Sequence, residues 1–242
     1  MAYSTINKST DYFNTKLYTG NGGTNAVTGV GFQPDWSWIK NRSGSDNHAL
    51  YDAVRGVNKI LSSNNTNAEA TQSDGLTAFG TDGFTIGAAG SVNTNSNNFV
   101  AWNWKANGTG SANTDGSINS TVSVNTTAGF SIVSYTGNAT SGATIGHGLG
   151  AVPKMIIVKN RDDGTGNQNW TVYHEAMTGN GAMFLDLTNT KDTNAKYFND
   201  TTPTSTVFTV GDNLGTNGSG DNMIAYCFAE KTGYSKFGTY YG

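Results

Sequence analysis

Side chains that can transfer protons near neutral pH are few in this chain. The histidines are His48, His147 and His174, and histidine is the usual side chain for this chemistry. His174 precedes Glu175, but the matching positions of an internal repeat (below) hold Asp52 and Ala53, so the acid–base pair is not repeated. The sequence contains no His-x-x-x-His, no cysteine pair and no Gly-x-Ser-x-Gly. We therefore expect surface or turn histidines and no catalytic residues.

Carboxylates are also poorly placed for catalysis. A glycosidase needs two of them roughly 5 to 10 Å apart in a cleft, yet glutamate occurs only at positions 69, 175 and 230. Most aspartates adjoin glycine or asparagine, where they usually form turns. Residues 162–167 and Asp212 with Asp221-Asn222 resemble oxygen-rich calcium loops, although neither has EF-hand spacing. The sequence predicts a non-enzyme without cofactor or metal; a bound calcium ion is the alternative.

A Lys-Asn-Arg block is the most specific motif. It occurs as Lys40, Asn41, Arg42 and again as Lys159, Asn160, Arg161, each time between a predicted strand and a polar loop. The block could bind an acidic partner or a sugar. Alternatively, the asparagine starts the turn while the basic side chains bridge neighbouring loops. Because a duplicated protein reproduces its scaffold twice, we favour the structural role.

Four collinear blocks reveal the repeat. The matched pairs are Tyr18-Thr19-Gly20-Asn21 with Tyr135-Thr136-Gly137-Asn138, Ile39-Lys40-Asn41-Arg42 with Val158-Lys159-Asn160-Arg161, Phe84-Thr85-Ile86-Gly87 with Phe208-Thr209-Val210-Gly211, and Asn98-Phe99-Val100-Ala101-Trp102 with Asn222-Met223-Ile224-Ala225-Tyr226. The sequence thus predicts a duplication, with copies at residues 12–106 and 129–235. Residues 1–11 are an expected arm and 107–128 an expected linker. Residues 236–242 form an expected strand that either completes the second copy or pairs with a neighbouring subunit.

Within each copy apolar residues alternate, which is typical of β-strands. The larger residues of two matched strands share one phase, so we predict that Trp102, Trp104, Tyr226 and Phe228 lie in the cores. Short strands separated by Asn, Thr and Gly turns indicate antiparallel sandwiches. The predicted fold is all-β, with two tandem related, jelly-roll-like β-sandwich domains.

Composition excludes several classes of partner. The formal net charge is −3 and no basic run is present, so nucleic acid is not an expected partner. No segment is apolar enough to span a membrane, and the N-terminus lacks the features of a secretion signal. Cys227 is the single cysteine, which indicates synthesis in a reducing cytoplasm. Trp170, Tyr240 and Tyr241 could stack on sugars, but core or interface packing is the favoured interpretation.

Several blocks bear on the family of this chain: Gly31–Arg42, Asp82–Gly87, Phe99–Lys105 and Gly233–Gly238. Together they resemble an uncharacterised repeated domain of phage structural proteins, of the cyanophage and pelagiphage type. The resemblance implies a virion protein of the head, tail or fibre, with a sandwich similar to lectin-like jelly rolls and no known catalytic residues. The expected partners are other virion proteins and copies of the chain itself. The alternative function is an adhesin that binds host surface glycan.

Overall fold

A computed structural model describes residues 5–162, 166, 168–177 and 181–240. The prediction of an all-β protein made of antiparallel sandwiches is confirmed. The chain divides into two compact units. The N-terminal unit is Lys8–Thr109, and the C-terminal unit is the described part of Gly110–Gly242 with that of Met1–Asn7. In the described residues no helix is long and apolar enough to cross a membrane.

The N-terminal unit consists mainly of short strands bounded by turn residues. After a 3₁₀ turn at Ser9–Asp11, its elements are β1 (Phe13–Thr19), β2 (Asn25–Thr28), β3 (Trp36–Asn41), β4 (Ala49–Asp52), β5 (Lys59–Ile60), β6 (Ala70–Thr71), β7 (Leu76–Gly80), β8 (Gly83–Ile86), the helical turn α1 (Gly90–Asn93) and β9 (Asn98–Trp104).

Two sheets enclose the core of this unit. The larger sheet has the order β1-β9-β3-β4, the smaller one β2-β8-β7, and β5 and β6 form a separate hairpin. Alternate residues of each strand point into the space between the sheets, where Ile39, Phe84, Phe99 and Ala101 belong to one buried cluster. This alternation is what the pleat requires of a strand with one face on the core.

The C-terminal unit is built in the same way. Its elements are β10 (Ser111–Asn113), β11 (Ser120–Asn125), β12 (Phe130–Thr136), β13 (Ala143–Gly146), β14 (Pro153–Asn160), β15 (Thr171–His174), a 3₁₀ turn at Glu175–Met177, β16 (Met183–Phe184), β17 (Val207–Val210), the helical turn α2 (Leu214–Asn217) and β18 (Asn222–Ala229). The large sheet has the order β10-β11-β12-β18-β14-β15-β16, and β13 pairs with β17.

Strand order and register correspond between the units. The order β1-β9-β3-β4 has its counterpart in β12-β18-β14-β15. Trp104 lies opposite Phe13 and Trp36, just as Phe228 lies opposite Phe130 and Met155. These are the partners that the sequence alignment of the two copies requires. The correspondence supports the predicted duplication.

The predicted domain limits need three corrections. Residues 107–128 are not a linker, because β10 and β11 lie within them and extend the large sheet of the C-terminal unit. The expected arm at 1–11 is divided: Ser9–Asp11 belongs to the N-terminal unit, and buried Ile6 belongs to the C-terminal unit. Residues 236–240 form no strand, and residues 241–242, like 1–4, lie outside the described residues.

Of the four predicted core residues only Tyr226 is fully buried, and the predicted core phase is wrong for β9. Phe99 and Ala101 of β9 are fully buried between the sheets, whereas Trp102 and Trp104 project from the opposite face and are partly exposed. In β18, Met223, Ala225 and Cys227 face the core, and Tyr226 and Phe228 lie on the other face. Tyr226 is nevertheless fully buried, whereas Phe228 is only partly buried. The larger side chains of both strands thus lie on the face of the sheet that is turned away from the clusters between the sheets, and this face is partly exposed in β9 but largely buried in β18.

Candidate functional site

The Lys-Asn-Arg blocks form equivalent turns at the ends of β3 and β14. Oδ1 of Asn41 accepts a hydrogen bond from the Ser43 amide at 2.9 Å, and Oδ1 of Asn160 accepts one from the Asp162 amide at 2.9 Å. Both asparagines are buried. Each side chain therefore starts the turn after its strand, which is the geometry expected for the structural role.

The two lysines differ in environment. Nζ of Lys40, which is partly exposed, donates to the backbone carbonyls of Asn41 and Gly44. Nζ of Lys159 is buried and donates to the carbonyl of Gln168. Burial lowers the pKa of Lys159 to about 8, an effect that the carboxylate of Asp186 partly opposes. Both lysines thus tie a strand end to a loop.

We expect this burial to make stability depend on pH. In the unfolded chain Lys159 titrates near 10.5, whereas its folded pKa is about 8. Between these values the unfolded chain holds a proton that the folded chain has released, so raising the pH increases the free energy of unfolding. The stability of the wild type relative to Lys159→Met should therefore grow by about 2–3 kcal/mol across this window.

Urea titrations at several pH values would measure this difference. Lys40→Met is the matched control because Lys40 holds the equivalent position but is partly exposed. A difference between wild type and Lys159→Met that stays constant with pH would contradict the prediction.

The Tyr-Thr-Gly-Asn motif of the N-terminal unit holds α1 against the sheet. The hydroxyl of Tyr18 donates to the carbonyl of Val92 at 2.7 Å. Gly20 lies so close to α1 that a Cβ atom there would meet the carbonyl oxygen of Thr94 at 2.2 Å. The amide of Asn21 donates to Oδ1 of Asn93 at 2.9 Å. The motif is therefore a packing signature for one helical turn.

The C-terminal unit repeats these contacts. Tyr135 donates to the carbonyl of Thr216 at 2.6 Å, and the amide of Asn138 donates to Oδ1 of Asn217 at 2.8 Å. Sequence reasoning missed Asn93 and Asn217, which are both fully buried. The sequence could have revealed them, because these two asparagines are separated by the same number of residues as the matched blocks Asn98–Trp102 and Asn222–Tyr226 that follow them. The residues shared by the two copies thus hold the scaffold together.

The histidines lie in unrelated environments. His147 is fully buried; its Nδ1 accepts from the Leu149 amide and its Nε2 contacts the Thr204 carbonyl. Burial lowers its pKa. His174 does not pair with Glu175, since that carboxylate binds Lys154 at 2.6 Å. His174 and Glu175 are therefore engaged in different contacts.

In the described residues, carboxylate oxygens of the candidate calcium loops accept hydrogen bonds from other groups of the protein. Oδ2 of Asp162 accepts from the Asn222 amide at 2.6 Å, and Oδ2 of Asp221 accepts from Nδ2 of Asn160 at 2.8 Å. Residues 163–165 and 167 lie outside the described residues. Among the residues that are described, no group of three or more His, Cys, Asp and Glu side chains is arranged to hold a metal ion.

The outer face of the large sheet in the N-terminal unit carries a cleft of about 290 Å³. We call it the aromatic cleft; its lining residues are Phe13, Trp38, His48, Trp102 and Trp104. Three neighbouring strands place four of these side chains, because β1, β9 and β3 pair Phe13 with Trp104 and Trp102 with Trp38, and His48 lies just before β4. The ring centroids of Phe13 and Trp104 are 4.8 Å apart, and Trp38 and Trp102 meet edge to face at 6.5 Å.

His48 is the titratable residue of the cleft lining. Its Nδ1 accepts a hydrogen bond from Nε1 of Trp38 at 2.7 Å. Burial, and then the positive charge of Lys40, lower its pKa, so the ring is neutral at neutral pH. A neutral imidazole whose Nδ1 accepts carries its proton on Nε2. The surface that lines the cleft is nearly all apolar.

The sequence also matches a known family model. Residues 8–242 match the model described as a domain of unknown function, DUF7483. The chain belongs to this family. No curated protein and no solved structure matches it. The DUF7483 match runs from the start of the N-terminal unit through the C-terminal unit, so in this chain both sandwiches together make up the family domain.

Proposed function

We propose that this DUF7483 protein is a non-enzymatic structural component of a bacteriophage particle, in the head, tail or fibre, that acts by binding other virion proteins and copies of itself. It is made in the host cytoplasm and then resides in the virion. Neither nucleic acid nor membrane is part of this proposal. The resemblance to phage structural proteins suggests the particle, and one surface feature supports the assembly role.

That feature is the β16 edge of the seven-stranded sheet. β16 is the last strand in the sheet order, and Met183, Leu185 and Leu187 project from this segment with exposed fractions of 37%, 40% and 40%. Phe184, between them, packs against the core. Ala182, next to β16, already pairs with Asp192, so the feature that supports assembly is the group of exposed apolar side chains, which is typical of a surface that another protein covers. We call Met183, Leu185 and Leu187 the apolar edge.

A charge-insertion experiment tests the assembly role. The double variant Met183→Glu, Leu185→Glu should fold normally, because both side chains are exposed, but should fail to enter particles. Incorporation would be measured by mass spectrometry of purified particles, after the variant gene replaces the natural one. Val152→Glu is the control, since Val152 has a similar exposed fraction of 38% in the same unit. Normal incorporation of the double variant would contradict the role of the apolar edge.

The C-terminal segment gives a second test of assembly. Residues 236–240 follow the last strand, and Tyr240 is 92% exposed. We expect deletion of residues 236–242 to leave both units folded and to abolish incorporation into particles. The loss of the Phe237 contact with Phe228, whose centroids are 6.5 Å apart, should change stability only slightly. Full incorporation of the truncated chain would rule out an assembly role for the segment.

The non-enzymatic part of the proposal has its own assay. Purified protein should release no reducing ends from host polysaccharide. Cleavage that is lost on Glu175→Gln would overturn it. The second candidate function is a glycan-binding adhesin, and the aromatic cleft favours it, because tryptophan faces at a surface can stack on sugar rings.

A further inference from the structure

The C-terminal unit takes up an aromatic ring on the face of its large sheet that is turned away from the core. The ring comes from the segment after β18: the centroid of Phe237 lies 6.5 Å from that of Phe228 and 6.4 Å from that of His174. Met155 is the cross-strand partner of both His174 and Phe228, so these side chains share one face. The segment that follows the last strand therefore packs an aromatic side chain on this face.

The N-terminal unit has the equivalent face but not the equivalent segment. Trp104 corresponds to Phe228 in strand order and register, and it lines the aromatic cleft. After β9, however, residues 105–113 contain no aromatic residue and lead directly into β10. The chain after β9 therefore cannot supply the ring that Phe237 supplies after β18.

The aromatic cleft and the C-terminal segment match in chemistry. The surface that lines the cleft is nearly all apolar, and three of the lining residues are tryptophans, which pair with other rings at centroid distances of about 4.5–7 Å. In residues 236–240 the one charged residue is Lys236, and Tyr240 is 92% exposed. A tyrosine ring gains free energy by leaving water for such a surface, while its hydroxyl group can stay in water at the rim.

We infer that the aromatic cleft binds the C-terminal segment of a second copy of this chain, with the ring of Tyr240 packed among the tryptophans. The inference rests on the proposed function, in which the chain binds copies of itself, and it names the two surfaces that meet. Because cleft and segment are different surfaces, each copy offers its segment to one neighbour and its cleft to another. Such a heterologous contact builds rings or filaments.

The contact is small. One aromatic side chain and its neighbours bury less area than a stable dimer interface does, so two copies bind weakly. In a particle many copies are held together, and the same contact is then strengthened by the high effective concentration. The purified chain should therefore associate only at high concentration.

Sedimentation velocity of the purified full chain tests the contact with two variants that each remove one surface. Tyr240→Ala removes the ring. Thr15→Glu places a carboxylate beside the cleft, because exposed Thr15 is the cross-strand partner of Trp102. The wild type should form species larger than a dimer as its concentration rises toward about 1 mM, the range of weak affinities. Each variant alone should weaken this association by roughly tenfold or more, as expected when an aromatic anchor is lost or its pocket is charged.

A mixture of the two variants distinguishes a heterologous contact from other causes of association. Tyr240→Ala chains keep their cleft and Thr15→Glu chains keep their segment, so an equimolar mixture should form a dimer and nothing larger. Thr19→Glu is the matched control: it makes the same change at an exposed position on the same face of β1, opposite Asn98 and outside the cleft lining, and should associate like the wild type. Circular dichroism would verify folding, and Trp102→Ala replaces Thr15→Glu if that variant does not fold.

Three results would overturn the inference: a wild-type chain that stays monomeric over the whole concentration series, association of Tyr240→Ala equal to that of the wild type, or an equimolar mixture that stays monomeric. If host polysaccharide changes the tryptophan fluorescence of a chain that remains monomeric, the cleft belongs to the adhesin function and the inference fails. The incorporation test of the apolar edge uses other residues and intact particles, so the proposed function and this inference can fail separately.

Discussion

Replacing Asn93 with alanine is expected to lower the free energy of unfolding of the N-terminal unit by about 3–5 kcal/mol, because several buried hydrogen bonds are lost at once. Nδ2 of Asn93 donates to the carbonyls of Gly23 and Gly87 at 2.6 and 2.7 Å. Its Oδ1 accepts from the Asn21 amide at 2.9 Å. Alanine leaves these backbone groups without their partner in a site where Asn93 is fully buried.

Urea titration followed by tryptophan fluorescence measures this loss, since Trp36, Trp38, Trp102 and Trp104 all lie in the N-terminal unit. Asn95→Ala is the matched control: it makes the same chemical change two residues later, at an exposed position, and should change stability by less than about 0.5 kcal/mol. Asn93→Asp retains the acceptor but loses both donors to carbonyl groups, and should therefore also destabilise. Equal midpoints for Asn93→Ala and Asn95→Ala would refute the proposed role of Asn93.

Replacing Phe99 with alanine is expected to cost about 3–5 kcal/mol of stability, the usual cost of a cavity in place of a buried phenylalanine. Phe99 is fully buried between the two sheets of the N-terminal unit. Its ring stacks on that of Tyr18, with centroids 5.1 Å apart and planes inclined by 9°. The substitution removes both the buried surface and this ring contact.

Trp102→Ala is the matched comparison, because Trp102 lies on the same strand but on the outer face. Although it removes a larger side chain, it should cost less than Phe99→Ala, since Trp102 is already partly exposed. Circular dichroism should follow unfolding here, as the variant itself removes a fluorophore. A larger loss for Trp102→Ala than for Phe99→Ala would show that the outer face contributes more to folding than the face between the sheets.

The sequence was sufficient to predict the class of fold and the correspondence between the two copies. Both follow from local patterns: alternation of apolar residues requires strands, and collinear blocks at nearly constant spacing require equivalent strands to pair in equivalent registers. The opposition of Trp36 to Trp104 and of Met155 to Phe228 follows from that alignment. The same logic indicates the turn after each Lys-Asn-Arg block, because an asparagine side chain can bond to its own backbone two residues on.

Only the tertiary structure decided which face of each strand is the core. Alternation separates two faces but does not say which one the second sheet covers. In β9 side-chain size was misleading, because small Ala101 lies between the sheets while Trp102 and Trp104 gather on the outer face as the walls of the aromatic cleft. Residues 107–128 were misassigned for a similar reason. Their Gly- and Asn-rich start resembles a linker, and β11 becomes a strand by pairing with β12.

The role of the buried asparagines was likewise not predictable from the sequence alone. Asn93 and Asn217 belong to sequences that are typical of loops, and what distinguishes them is the set of backbone groups that the fold brings to each side chain. Asn93 joins residues more than 60 positions apart along the chain, such as Asn21 and Gly23, to Gly87 beside it. The sequence determined the strands and their partners, and the tertiary structure determined the core face, the cleft and these hydrogen bonds, because each of them depends on groups that are distant along the chain.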